Sequence, residues 1–279
     1  MNTIKKITLA LVCILLSHLV TAQTYKPVLK VSKGQEYKYE MNMTMDMTQS
    51  MGGQEMKVGS TMSATLKNAI ENVLPDGKIE IVASQWDGKV TTKMMKDTTM
   101  TYPGQIGSST KITVDKLGNV VSKIKIEGTG TKDPSLSSFD NLVNNVLFCE
   151  YPETPIKEGD KWTKEHSDSI TAGPMGKIEL KIKSEYKLGA KETVEGKSLL
   201  KVTCSSTLQI SGKGNIQGMD VALDGTGAKT DDIYIDPATG VVFSDTSKTE
   251  MEMSIAVTGQ QNMTIPMTQK MVTSFKLIK

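Results

Sequence analysis

The chain has no arginine: all 33 of its basic residues are lysine, set against 31 aspartates and glutamates. It has two histidines, His18 and His166, three cysteines, and only 5% aromatic residues. No apolar run approaches the ~20 residues of a membrane-spanning helix. Each shortage removes a class of function. Nucleic-acid recognition favours a basic face and the bidentate arginine fork. Once Lys5 and Lys6 are set aside as part of a removable leader, 31 lysines balance 31 acidic residues, so no basic surplus remains. Multi-histidine metal centres and histidine-based triads lack their histidines. No Gly-Lys-Ser/Thr phosphate loop, His-Glu-x-x-His or Gly-x-Ser-x-Gly occurs. The sequence therefore predicts no enzyme, no nucleic-acid partner, no cofactor and no metal centre of the histidine kind. Scarce aromatics and lysines in most of the strand-like runs also speak against an outer-membrane barrel, whose girdles are aromatic and whose lipid-facing band avoids lysine.

What is present starts with an address. Lys5 and Lys6 precede the apolar run from Ile7 to Leu16, and Val20, Thr21 and Ala22 supply the cleavage region. This three-part pattern predicts a signal peptide over residues 1–22 and export to the periplasm or outside the cell. Cys13 follows Val12 within the apolar run and does not read as a lipid-modified cysteine.

Strand periodicity dominates the rest. From Tyr37 to Met47 the odd positions read Tyr37, Tyr39, Met41, Met43, Met45 and Met47, while Lys38, Glu40, Asn42, Thr44 and Asp46 alternate with them. A period of two places the first set on one face of a strand and the second set on the other. The same alternation recurs along Met56–Leu66, Ile178–Ile182, Leu200–Ile210, Met251–Val257 and Met271–Leu277. Turn signals separate the runs: Pro75-Asp76-Gly77, Leu117-Gly118-Asn119, Glu195-Gly196, and Asp236 to Gly240. One segment departs from this rhythm. Asp133-Pro134 opens a stretch whose Leu136, Phe139, Leu142, Val143, Val146 and Leu147 fall three and four apart, the spacing of an amphipathic helix with Asp133 as N-cap.

Sequence on the two sides of that helix is related. Lys33-Gly34-Gln35-Glu36-Tyr37 resembles Glu158-Gly159-Asp160-Lys161-Trp162, and Thr113-Val114-Asp115 with Gly118 and Val120 resembles Tyr234-Ile235-Asp236 with Gly240 and Val242. The expected fold is all-β: two tandem antiparallel β-meander repeats, over residues 23–132 and 150–279, making a curved sheet or open barrel, with one short linking α-helix at 133–149. The exported start, the Lys-Gly-x-x-Tyr-x-Tyr opening at Lys33 to Tyr39, the Gly-Asp-Lys-Trp echo at Gly159 to Trp162 and the Asp-x-x-x-Gly-x-Val hairpin at Asp236 together resemble a family of exported bacterial proteins of unknown function. That resemblance implies a β-rich fold and carries over no catalytic residue.

Methionine is the compositional outlier, with 18 residues. Unbranched thioethers fill irregular cores, and they also line surfaces that must repack around variable apolar ligands. Tyr37, Tyr39, Met41, Met43, Met45, Met47, Met251 and Met253 are the candidate ligand-binding residues, for a lipid or acyl chain on a concave sheet face. Two alternatives stand beside this: Cu(I) held by Met-x-Met thioethers, and a structural or protein-interaction module. Cys149 and Cys204 make either a disulfide or two buried thiols. His166, between Glu165 and Ser167, reads as a solvated strand residue, because neighbours on a strand point to opposite faces and cannot converge as a triad.

Overall fold

The structure is a computed structural model that describes residues 24–93, 97–126, 147–171, 176–216, 218–259 and 262–278. Eleven strands run in chain order: β1 Glu36–Met51, β2 Gln54–Val73, β3 Ile79–Lys93, β4 Thr98–Val114, β5 Val120–Ile126, β6 Lys161–Thr171, β7 Lys177–Val194, β8 Lys197–Ile216, β9 Met219–Ile235, β10 Val242–Thr258 and β11 Met263–Leu277. The fold is all-β, as expected, and among the described residues there is no helix. Residues 1–22 lie outside the described residues, as do 133–146 of the expected linking helix. Residues 147–149, which the sequence reading includes in that helix, are not helical. Phe148 bridges Val241 and the backbone of Leu147 accepts from Val242 N–H. These long-range partners take the backbone groups that a last helical turn would have used.

All eleven strands belong to one antiparallel sheet, in the order β5-β4-β3-β2-β1-β11-β10-β9-β8-β7-β6. Two meanders thus grow outward from a central seam in which the first strand pairs with the last, Met41 opposite Phe275 and Met45 opposite Met271. The chain makes two-residue turns where it can. Gly52-Gly53 and Glu195-Gly196 all adopt positive φ, the conformation that matches the right-handed twist of the flanking strands.

The segments before β1 and before β6 are built alike. Gly34 donates to Ile70 O while Gly159 donates to Leu188 O, and Gln35 and Asp160 each accept back from the same partner strand. The Gln35 side chain caps Ser32 N–H and the Asp160 side chain caps Lys157 N–H. Likewise Asp115 and Asp236 each fold a turn by accepting from the backbone N–H two residues on.

The edges of the sheet, β5 and β6, have no backbone pairing with each other, but side chains bring them together. Lys123 lies 3.7 Å from Asp168, and Lys164 donates to Asn119 at 2.6 Å. The sheet therefore curls into an open barrel. One end is closed by residues 147–156, tied to Leu117, Val241 and Tyr25 by backbone hydrogen bonds and isolated bridges. The approach is tight: a Cβ on Gly118 would stand 2.3 Å from the Cys149 carbonyl oxygen, in a conformation with φ +84°. Beneath this closure lies the core of Tyr39, Leu66, Ile70, Ile79, Ile112, Ile235 and Tyr151, each almost entirely buried.

Candidate functional site

Strict alternation along each strand makes the inward face legible as cross-strand rows, two residues or ~6.6 Å apart. The lowest row above the closed end carries Leu188, Val202, Ile233, Asp245, Phe275 and Met41. The next carries Tyr186, Cys204, Asp231, Ser247, Thr273 and Met43, and the third Ser184, Ser206, Lys229, Thr249, Met271 and Met45. Above them Gly227, Met251, Gln269 and Met47 form a fourth row, then Gly225, Met253, Met267 and Gln49 a fifth. An apolar floor thus gives way to a polar belt and then to a methionine ladder.

The eight expected site residues divide between these levels. Tyr39, Met41 and Met43 are core side chains, at most 3% exposed, and Tyr39 donates its hydroxyl to Val242 O at 2.6 Å. Burial, then the neighbouring Tyr37, pushes the Tyr39 phenol well above its ordinary range. Tyr37 is half-buried and packs against this core. Met45, Met47, Met251 and Met253 share the inward face but stay half-buried toward the open end. Met251 and Met253 lie where β9 has no side chains: a Cβ on Gly227 would meet Met251 Cγ at 2.8 Å, and one on Gly225 would meet Met253 Cγ at 2.6 Å. Met45 pairs directly with Met271, and Gln269 donates its amide to Met45 Sδ at 3.3 Å.

The polar belt is what the sequence reading missed. Lys229 Nζ is 2.7 Å from Asp231, whose side chain is 4% exposed, while the Lys229 side chain keeps 36% of its surface open. Burial alone would lower the lysine, but the Asp231 and Asp245 charges outweigh it and hold its ammonium above the usual range. Asp245 has a buried Oδ1 with no hydrogen-bond partner, and its carboxyl is pushed up to about 7 by burial and then by Asp231. Parity could have placed Asp245 on this face, since Asp245, Ser247 and Thr249 continue the register of Met251 and Met253 down the same strand.

Cys149 and Cys204 are free, buried thiols, both raised in pKa by burial. His166 lies on β6 and contacts Glu150 at 2.6 Å. No grouping of histidine, cysteine and carboxylates suited to a metal ion exists among the described residues. No helix among them is long and apolar enough to cross a membrane.

The outward face is charged along its height: Lys177, Glu179, Lys181, Lys183, Glu185 and Lys187 alternate along β7, with ion pairs Lys183–Glu165 at 3.0 Å and Lys270–Glu250 at 3.2 Å. Lysine at a bilayer midplane costs ~2–4 kcal/mol, so these rows belong in water. A shallow depression of about 650 Å³ opens on this face, walled by Lys181, Gln209, Thr226 and Glu252 and floored by the row containing Gly225 and Met253. It holds no aromatic ring.

Residues 137–242, from the linking segment to the start of β10, match a Family of unknown function (DUF6263). No curated protein matches the chain. Among solved structures, the COG4313 outer membrane channel from Pseudomonas putida F1 is similar at 9% identity, over 90% of this chain and 98% of that one, with a TM-score of 0.28. OccK2 (OpdF) of Pseudomonas aeruginosa, solved with glucuronate, is similar at 5% identity over 90% and 100%, with a TM-score of 0.31. The hypothetical lipoprotein YmcC of Escherichia coli is similar at 12% identity over 82% and 85%, with a TM-score of 0.20. At such scores the likeness carries no inference.

Proposed function

We propose that the chain is an exported, non-enzymatic binding protein that holds an apolar ligand, a lipid or acyl chain, on the methionine ladder at the open end of its inward face. The leader-like pattern of residues 1–22 supports export to the periplasm or beyond. The two repeats, 23–132 and 150–279, serve as the halves of a single curved sheet, a reading supported by the matched hydrogen bonds before β1 and β6. One observation carries the binding role. The core is completed below by Tyr39, Met41 and Met43, yet the same face continues upward through Met45, Met47, Met251, Met253, Met267 and Met271, which remain half-buried. Thioethers in that position can repack around an incoming chain. The test is capture of the neutral fluorophore N-phenyl-1-naphthylamine by the leaderless protein. Met47→Asp on the inward face abolishes capture while the outward Thr48→Asp retains it. Equal capture by both variants overturns the assignment of the ligand to this face.

A second reading has its own observation. Met45 faces Met271 and Met253 faces Met267 across the β11 pairings, so soft sulfur donors meet in cross-strand pairs of the kind that Cu(I) prefers. Replacing Met45 and Met271 by Leu separates the two readings: it removes Cu(I) binding and leaves the fluorophore bound.

A further inference from the structure

From the Met41 row upward, the inward positions of β7–β11, β1 and β2 hold three charged side chains among the described residues, Lys229, Asp231 and Asp245. They adjoin one another. Asp231 stands diagonally beside Asp245 across the β9–β10 pairing, at a separation of about 7 Å. Lys229 and Asp231 form an ion pair at 2.7 Å, although Asp231 Oδ1, like Asp245 Oδ1, is buried without a hydrogen bond of good geometry. Asp245 has no counterpart: its row is otherwise Leu188, Val202, Ile233, Phe275 and Met41, and its Oδ1 is buried without a hydrogen bond. A carboxyl placed in an apolar row destabilises the fold unless something donates to it. Immediately above lie the small side chains Ser247, Thr249 and Thr273, and then the ladder of Met251 and Met253. Ser247, Thr249 and Thr273 are themselves at most 7% exposed, and within the cluster the Lys229 side chain, 36% exposed, is the part that meets water.

We infer that Lys229, Asp231 and Asp245 form a head-group subsite beneath the methionine ladder, and that the ligand is an amphiphile bearing a protonated amine, its tail along Met251 and Met253 and its ammonium donating to Asp245. This deepens the carrier reading and rests on it. The charge count selects the head. The lysine neutralises one carboxylate and leaves the other, so a cation completes the cluster, whereas a carboxylate or phosphate head would add a third negative group. A neutral hydroxyl can donate one hydrogen bond but brings no charge.

The groups facing Asp245 set the dependence on pH. β9 brings Lys229, Asp231 and, on its other side, Asp232, and the closing segment brings Cys149; β11 contributes the uncharged Phe275. Asp245 itself is pushed up to about 7 by burial and then by Asp231. An alkylamine stays protonated through that range, so its affinity rises as Asp245 ionises.

The test is calorimetric titration of the full chain with dodecylamine, dodecanol and dodecanoate below their micellar concentrations, at pH 5.5 and 8.5. Dodecylamine is expected to bind about tenfold tighter than dodecanol at pH 8.5, the worth of one charge-assisted hydrogen bond. The gap narrows at pH 5.5 and closes in Asp245→Asn, with dodecanol affinity retained. Lys229→Met, which removes the competing cation, widens it. Equal binding of amine and alcohol, preference for dodecanoate, or an amine preference that survives Asp245→Asn overturns the subsite and leaves the carrier reading standing. Failure of all three probes to bind overturns both.

Discussion

Two side chains on the inward face, Tyr39 and Asp245, show how one alternation can serve opposite ends. Tyr39 closes the core, and its hydroxyl satisfies the Val242 carbonyl across the sheet. Tyr39→Phe keeps the ring but orphans that buried carbonyl, so the variant should lose about 2 kcal/mol in urea unfolding with little change in slope. Asp245 stores the opposite effect. Its folded pKa is raised to about 7, above the ~3.9 of an unfolded aspartate, so the folded chain binds more protons between those values. Stability attributable to this group therefore falls as pH rises from about 4 to about 7. Asp245→Asn should raise the melting temperature at pH 8 and change it little at pH 4; an equal effect at both would show that the carboxyl is not buried as described. A group that costs the fold stability at an inward-facing position is what a binding position trades for affinity. The sequence shows Asp245 without showing its surroundings, because a lone aspartate between Ser244 and Thr246 looks like a strand-end residue until its row partners are known.

At the scale of the element, the strands were the most legible feature. A period of two over many residues has one physical solution, and β1 presents Tyr39, Met41 and Met43 inward while Glu40, Asn42 and Thr44 point to water. The turns were legible for the same local reason, since Gly77, Gly118 and Gly240 occupy positive φ where the sequence places its turn signals. The last three residues assigned to the linking helix were misread, because pairing of Phe148 with Val241, nearly a hundred positions away, overrides local spacing. The edge strand β6 carries a feature of its own. His166 pairs with Glu150 at 2.6 Å, and that hydrogen bond, against the opposing effect of burial, raises the imidazole above its usual pKa. The stabilisation is complete below the unfolded value of ~6.5 and is lost as pH climbs through the folded one. Glu150→Gln should remove this dependence, so that the unfolding midpoints of variant and parent differ at pH 5.5 and converge at pH 8.5. A parallel offset at both would assign Glu150 a purely structural role.

At the scale of the molecule, the decisive pairing is the one local pattern could not reveal. β1 and β11 stand at opposite ends of the sequence and in the middle of the sheet, joining two meanders into a single surface. Alternation shows that each strand has an inward face, but it does not say which strand lies beside it, and the ladder of Met45, Met271, Met253 and Met267 exists only once that order is fixed. The thioethers thus converge through topology, above the floor row of Met41 and Phe275.

The central claim is that this convergence holds an apolar molecule. Native mass spectrometry of the protein prepared without detergent from the cells that make it tests the claim most directly. The account predicts an adduct of lipid-like mass, shed on collisional activation and missing from Met47→Asp. A spectrum showing only the bare chain, from protein whose fold is intact, would contradict it.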